Sequence, residues 1–174
     1  MVDVIESKEV YKGKIISVRV DTLSINEKPT IREVVEHNGS AAILALIGDK
    51  IIMEKQYRHP IGKELLEIPA GTLEKGESPE DCAARELIEE TGYRAASLSP
   101  LTKCYMTPGY CSEVIQIFVA TGLSKVERHE MDEDEEISIV KVSVEDAVKM
   151  IINGEIEDAK TICAVLTYDS ILKS

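Results

Sequence analysis

Residues 71–93, GTLEKGESPEDCAARELIEETGY, constrain this chain more than any other stretch, because they specify a helix with marked ends and two unlike faces. Ser78 suits the N-cap and Pro79 the first helical position, while Glu80 and Asp81 favour the positive end of the dipole. Gly92 suits the left-handed residue that ends a helix, so the expected helix runs from Ser78 to Thr91. At about 100° per residue, Glu86 and Glu90 project from one face with Glu89 beside them. Ala83, Ala84, Leu87 and Ile88 occupy the other side and are expected to bury against a sheet. Like charges at this spacing repel by a few tenths of a kcal/mol per pair in water, roughly, and more strongly if partly buried. A divalent cation would remove that penalty, and oxygen-only ligands favour Mg²⁺ or Mn²⁺. Taken alone, the helix reads more readily as a solvated acidic face, which is common.

Around that helix the pattern alternates between strands and helices. Residues 9 to 36 read as short strands, with Asn26-Glu27-Lys28-Pro29 as a turn before TIREVVEH. AAILALI and KIIMEKQYR form two strands about Gly48-Asp49, a hairpin signal. Residues 61 to 70 lead into Gly71. Further strands are expected at 100 to 106 and 113 to 121. The acidic run 130 to 136 reads as a loop before the strand ISIVKVS. Ser143-Val144-Glu145-Asp146 opens a second helix by the same capping logic, and a third is expected from Asp158 to Leu172. No internal repeat or linker divides the chain, and 174 residues favour one domain with a small N-terminal appendage.

Composition narrows the function classes. With 44% apolar residues an ordinary core is available, but Trp is absent and Phe occurs once, so Ile, Val, Leu and Ala must build it. A formal net charge of −12 argues against a nucleic-acid partner, which needs Lys and Arg to neutralise phosphates. It does not exclude a small phosphate-containing substrate held through a cation on carboxylates. Cys82, Cys104, Cys111 and Cys163 show neither C-x-x-C nor zinc spacing, which fits a reduced, cytoplasmic chain. The charged N-terminus lacks a signal-peptide core, and no apolar run approaches the roughly 18 residues that span a bilayer, so no membrane partner is expected.

Gly71, Glu77, and Arg85-Glu86-Leu87-Ile88-Glu89-Glu90-Thr91-Gly92-Tyr93 stand at the spacing G-x5-E-x7-R-E-U-x-E-E-x-G-U, where U is a bulky aliphatic residue. This resembles the Nudix box at every fixed position; the soft departure is Tyr93 in the last U position, a packing site. The resemblance implies a metal-dependent hydrolase of nucleoside diphosphates linked to another moiety. It implies an α/β/α Nudix sandwich with a mixed β-sheet and a small N-terminal β region. By the same resemblance Glu86 and Glu90 are the main metal ligands, Glu89 assists, and the Ala70 carbonyl is a further ligand. Glu77 and Arg85 are expected to brace the loop and helix by charge-assisted hydrogen bonds.

Outside the box, Gln56-Tyr57-Arg58-His59-Pro60 with Glu64-Leu65-Leu66-Glu67-Ile68-Pro69-Ala70-Gly71 resembles the approach to the box in ADP-ribose pyrophosphatases. Pro108, sixteen residues after Gly92, and the segment Pro108-Gly109-Tyr110-Cys111-Ser112-Glu113 resemble that subfamily too. The resemblance implies that Arg58 contacts phosphate or ribose and that Glu113 approaches the substrate or its attacking water. It also implies that a Glu of the acidic loop, Glu133 or else Glu135, positions or deprotonates that water. The bland readings are a surface Arg58, a Glu113 that caps a strand entry, a plain Pro108-Gly109 turn and a solvated acidic loop. ADP-ribose is the expected substrate; another nucleoside diphosphate sugar, or a domain that only binds a nucleotide, are the alternatives. Residues 1–40 are expected to form the β region and to support a homodimer, and residues 41–174 the hydrolase domain.

Overall fold

The computed structural model describes residues 2–126 and 138–174. Glu133 and Glu135 therefore lie outside the described residues. The chain divides into two compact units, residues 1–39 with 105–114, and residues 40–104 with 115–174.

In the first unit β1 (Val2–Lys12), β2 (Ile16–Ile25) and β3 (Lys28–His37) make an antiparallel sheet in that order. The turn between β2 and β3 is tighter than the sequence suggested. Only Asn26 and Glu27 lie outside the ladder, both left-handed at φ 51° and 62°, and Ile25 pairs with Lys28. Two consecutive positive φ values match the twist of a hairpin; Asn tolerates them, whereas Glu27 is strained by roughly 1 kcal/mol. Pro29 then pairs with Ser24 on an edge strand, where its missing N–H does no harm. β1 begins well before residue 9, where the sequence placed the first strand. Irregularities between Val4 and Glu6 and between Glu9 and Tyr11 reset the side-chain alternation, so no strict period of two runs through it. Segment 105–114 docks on β3: Val35 N–H donates to Tyr110 O at 2.7 Å and Ser112 N–H to Val35 O at 2.9 Å.

The second unit is a mixed sheet with helices. Its strands are β4 (Ser40–Ile47), β5 (Lys50–Arg58), β6 (Lys63–Glu67), β7 (Ala70–Thr72), β8 (Tyr93–Arg94), β9 (Ser97–Tyr105), β10 (Val114–Thr121), β11 (Ser124–Lys125) and β12 (Ser138–Ser143). Its helices are α1 (Pro79–Thr91), α2 (Val144–Ile152) and α3 (Ala159–Leu172). The main sheet runs β12-β5-β4-β10-β9, with β6 added to β5 and β7 to β4, while β8 and β11 pair separately. β10 lies parallel to β4; β5 and β12 are antiparallel neighbours. Residues 41–45 of β4 are fully buried, which is why AAILALI reads as a continuous apolar run. Ala41, Ile43 and Ala45 join the cluster of Cys82, Ala83 and Leu87 from α1. Ala42 and Leu44 alternate to the opposite face and are equally buried, on the side where α3 meets β4. This is the α/β architecture expected from the resemblance.

Short β6 and β7, in a stretch to which the sequence assigned no element, set the site: β7 holds Gly71 opposite Ala41 and Ala70 opposite Ala42. Among the described residues no helix is long and apolar enough to cross a membrane.

Candidate active site

Local sequence chemistry places α1 as expected. Ser78 Oγ accepts the Asp81 N–H at 3.1 Å, and Gly92 closes the helix at φ 71° with its N–H on Ile88 O. The buried stripe differs from the expected one. Cys82, Ala83 and Leu87 are buried, Ala84 is exposed and Ile88 only half-buried. Burying Leu87 alone contributes about 1.5–3 kcal/mol. Ala83, Leu87 and Glu90 follow one another at i, i+4 and i+7, so Glu90 continues the core-facing stripe and is itself only 6% exposed. A carboxylate in such a stripe is costly unless it is bonded, and Glu90 Oε2 accepts the Ala70 N–H at 3.0 Å.

Glu86 converges on the same peptide from the neighbouring position. A Cβ added to Gly71 would stand 1.7 Å from Glu86 Oε1 and 2.0 Å from Cδ. The box glycine is therefore the space that the Glu86 carboxylate fills. α1 and β7 together bring Glu86 and Glu90 to Ala70-Gly71.

Arg85 organises the remaining carboxylates. Its Nε and Nη2 fork Glu77 at 2.9 and 3.0 Å, and its Nη1 donates to Glu86 Oε1 at 2.7 Å and Glu89 Oε2 at 3.0 Å. Nη2 also reaches Thr72 O at 3.4 Å. Glu77 in turn accepts the Glu74 N–H at 2.9 Å, which closes the loop ahead of α1. The hydrogen bonds that Arg85 donates to Glu77 hold its guanidinium more firmly charged than usual, against the cost of burial and with help from Glu86 and Glu89. Reciprocally, the Arg85 hydrogen bonds hold Glu77 below the ordinary carboxylate value. Cys82 lies behind this cluster, its Sγ 3.6 Å from Gly71 O. Burial, then the charges of Glu77 and Glu86, push its thiol up to about 12, so it is no nucleophile.

Among the described residues no three His, Cys, Asp or Glu side chains already converge as a metal cluster. The donor set nonetheless suits a divalent cation: two carboxylates, Glu86 and Glu90, held against the Ala70-Gly71 backbone, with Glu89 one turn away and 40% exposed. All are hard oxygen donors, as Mg²⁺ or Mn²⁺ prefers.

The other expected residues stand on other elements. Arg58, at the end of β5, forks Glu67 with Nε and Nη2, both at 2.8 Å, while its side chain stays 37% exposed. Its Nη1 makes no hydrogen bond among the described residues. Glu67 is 1% exposed and also bonds Lys160 Nζ. Burial pushes the Glu67 carboxyl up, but Arg58 and Lys160 outweigh that and hold it below the ordinary value. Glu113 belongs to the first unit, with Oε1 at 3.8 Å from His37 Nδ1, beyond hydrogen-bond range. That nitrogen accepts the Gly39 N–H instead. Glu67 lay inside the motif read from the sequence without a role, and Lys160 and Thr161 carried no local signal.

Comparison with known proteins matches this architecture. The NUDIX domain description fits residues 36–165. The chain is 44% identical over 164 residues to an ADP-ribose pyrophosphatase of Bacillus subtilis (strain 168), covering 92% of this chain and 89% of the relative. A methanol dehydrogenase activator of Bacillus methanolicus is 39% identical over the same shares. A GDP-mannose pyrophosphatase of Yersinia enterocolitica is 37% identical over 81% of this chain and 78% of its own. A solved structure of an ADP compounds hydrolase superposes with a TM-score of 0.87 at 25% identity, covering 99% of this chain and 94% of that one. The chain belongs to the Nudix family, whose hydrolases generally need a divalent metal.

Proposed function

We propose that this protein hydrolyses the diphosphate linkage of ADP-ribose to AMP and ribose 5-phosphate, with Mg²⁺ or Mn²⁺ as the cation. The observation that carries the reading is the paired approach of Glu86 and Glu90 to Ala70-Gly71, in a chain that is 44% identical to an ADP-ribose pyrophosphatase along nearly its whole length. In this reading Glu86, Glu90 and the Ala70 carbonyl hold the cation and Glu89 assists. When bound, the cation neutralises diphosphate charge and makes water more acidic. Arg58 is anchored by Glu67 and offers its remaining N–H groups to phosphate or ribose. Glu113 approaches the substrate from its own segment. Glu133, or else Glu135, orients a water and accepts its proton as the water oxygen bonds to one phosphorus. The bridging P–O bond breaks, and the departing phosphate carries the electron pair away.

Residues 1–40 as a β region that pairs two chains, residues 41–174 as the hydrolase domain, and a cytoplasmic setting complete the proposal. The first is supported by the many exposed apolar side chains of the N-terminal sheet, among them Val2, Val4, Ile5 and Ile31. The last is supported by four free cysteines. The GDP-mannose pyrophosphatase relative favours a second reading, another nucleoside diphosphate sugar. A purely regulatory domain, which the activator relative raises, has no use for so many carboxylates drawn together at Ala70-Gly71 and Arg85. The deciding experiment compares kcat/KM for ADP-ribose, ADP-glucose and GDP-mannose with Mg²⁺ and with Mn²⁺. ADP-ribose is expected to lead by at least about tenfold, well over 1 kcal/mol in transition-state binding. A lead for either competitor overturns the substrate, and no turnover of any overturns the activity.

A further inference from the structure

The four residues that enter the box are tied to four elements of the second unit, β5, α3, β4 and α1. The Glu67 carboxylate bonds Arg58 on β5 and Lys160 in the first turn of α3. Ile68 N–H donates to Thr161 Oγ1 at 2.9 Å, again in that first turn. Pro69 O accepts the Ile43 N–H of β4 at 2.8 Å. Ala70 N–H donates to Glu90 of α1 at 3.0 Å. The α3 turn is itself held rigid: Asp158 Oδ2 accepts both Thr161 N–H and Thr161 Oγ1–H, at 2.9 and 2.6 Å, and Asp158 Oδ1 lies 3.1 Å from Lys160 Nζ. Thr161 is fully buried, and the Lys160 and Glu67 side chains are only 8% and 1% exposed.

A charged pair this deep is a poor device for stability alone, because apolar residues of similar volume serve as well or better. What it supplies is position. With the adjacent Thr161 it holds residues 67 and 68, where β6 ends, and β7 begins two residues later at Ala70.

We infer that Lys160 and Thr161 are positioning residues for the cation-binding face of α1: through Glu67 and Ile68 they fix the Ala70 peptide against which Glu90 is set. Neither touches substrate. The inference rests on the reading above that Ala70, Glu86 and Glu90 hold the cation. It assigns work to α3, which lies across β4 from the box helix.

The test measures Mn²⁺ binding to the full chain by the loss of the free-ion electron paramagnetic resonance signal, without substrate. The variants are Lys160→Met, Lys160→Arg and Thr161→Val, each checked for folding by circular dichroism. Lys160→Met and Thr161→Val are expected to bind Mn²⁺ about 10–100-fold more weakly, the range for groups that orient metal ligands. Lys160→Arg is expected to stay within about threefold of the unaltered protein, since it keeps the charge and a donor for Glu67. In turnover, Lys160→Met and Thr161→Val should need correspondingly more Mg²⁺, with KM for ADP-ribose unchanged at saturating cation. Unaltered Mn²⁺ affinity in both folded variants overturns the inference, as does a folded Lys160→Arg as weak as Lys160→Met. Should Lys160→Met not fold, Thr161→Val decides alone. Failure of the unaltered protein to bind Mn²⁺ would overturn the cation reading itself and this inference with it.

Discussion

Gly71→Ala separates the demands of the fold from those of the site. Gly71 does not adopt a positive φ, so its backbone accepts alanine without strain. The whole effect comes from the methyl group, which would stand 1.7 Å from Glu86 Oε1, 2.0 Å from Cδ and 2.7 Å from Cγ. Ordinary contact is about 3.5–4 Å, so the carboxylate must withdraw by roughly 2 Å. The atoms in the way are the end of a flexible side chain, and an off-rotamer adjustment there costs about 1 kcal/mol. For a domain of this size that lowers Tm by about 2–4 °C. Activity should suffer far more, since a misplacement of about 1 Å can cost ~10²-fold, or roughly 2.7 kcal/mol of barrier. Following AMP release from ADP-ribose at saturating Mg²⁺, kcat/KM is expected to fall at least about a hundredfold. Gly48→Ala makes the contrast: its φ is +62° with nothing within 4 Å, so it should lose about 1–2 kcal/mol of stability with unchanged kcat/KM. Gly71→Ala with more than about a tenth of full activity would refute the role given to the Glu86 position. A collapse in its Tm would refute the claim that the side chain alone absorbs the clash.

The remaining expectations are more direct. Glu90→Gln keeps an oxygen to accept the Ala70 N–H, so it should fold normally yet lose at least about a hundredfold in Mg²⁺-dependent turnover; near-native activity would remove Glu90 from the ligands. One of Glu133→Gln and Glu135→Gln should lower kcat by at least about tenfold, since general-base catalysis is typically worth ~10²–10⁴; two unimpaired variants would end the loop-base idea. Arg85 holds Glu77 below its ordinary value of 4.5, so the stabilisation is present above about pH 4.5 and is lost as pH falls through the lower folded value. Glu77→Gln should therefore lower Tm at pH 7 and show a smaller further drop between pH 7 and pH 3 than the unaltered protein; an equal drop contradicts the pairing. Cys82, with its thiol pushed up to about 12 and buried, should resist iodoacetamide at pH 8 until the chain is unfolded; peptide mapping that finds it alkylated in the native state would contradict this.

What was legible in the sequence was local. The caps of α1, α2 and α3 involve residues three apart, and Ser78, Ser143 and Asp158 each accept the expected N–H. The Gly48-Asp49 hairpin is equally local. The face assignment of α1 was only partly legible. Grouping Glu90 with Glu86 by their spacing of four hid its place after Ala83 and Leu87 on the buried stripe, and Ala84, read as core, is exposed. β6 and β7 escaped because strands of five and three residues show too few alternations. The Glu67–Lys160 bond joins residues 93 apart. No periodicity spans that distance, and only the packing of α3 on β4 brings the two together.

A chain of net charge −12 that gathers carboxylates on one helix must answer their repulsion in the folded state. Arg85 does so for Glu77, Glu86 and Glu89, with one guanidinium among three carboxylates. Glu90 is handled differently, set into the apolar stripe and bonded to a backbone N–H. A leucine there would extend the stripe and add burial worth about 1.5–3 kcal/mol. Stability therefore does not explain a glutamate at that position, whereas a demand for hard oxygen beside Ala70-Gly71 does. The two acidic residues that meet the box strand thus differ in how they are held: Glu86 shares its charge with Arg85, and Glu90 is set against the Ala70 peptide. Where that peptide stands therefore matters to the site, and the bonds of Lys160 to Glu67 and of Thr161 to Ile68 bring residues distant in sequence to bear on it.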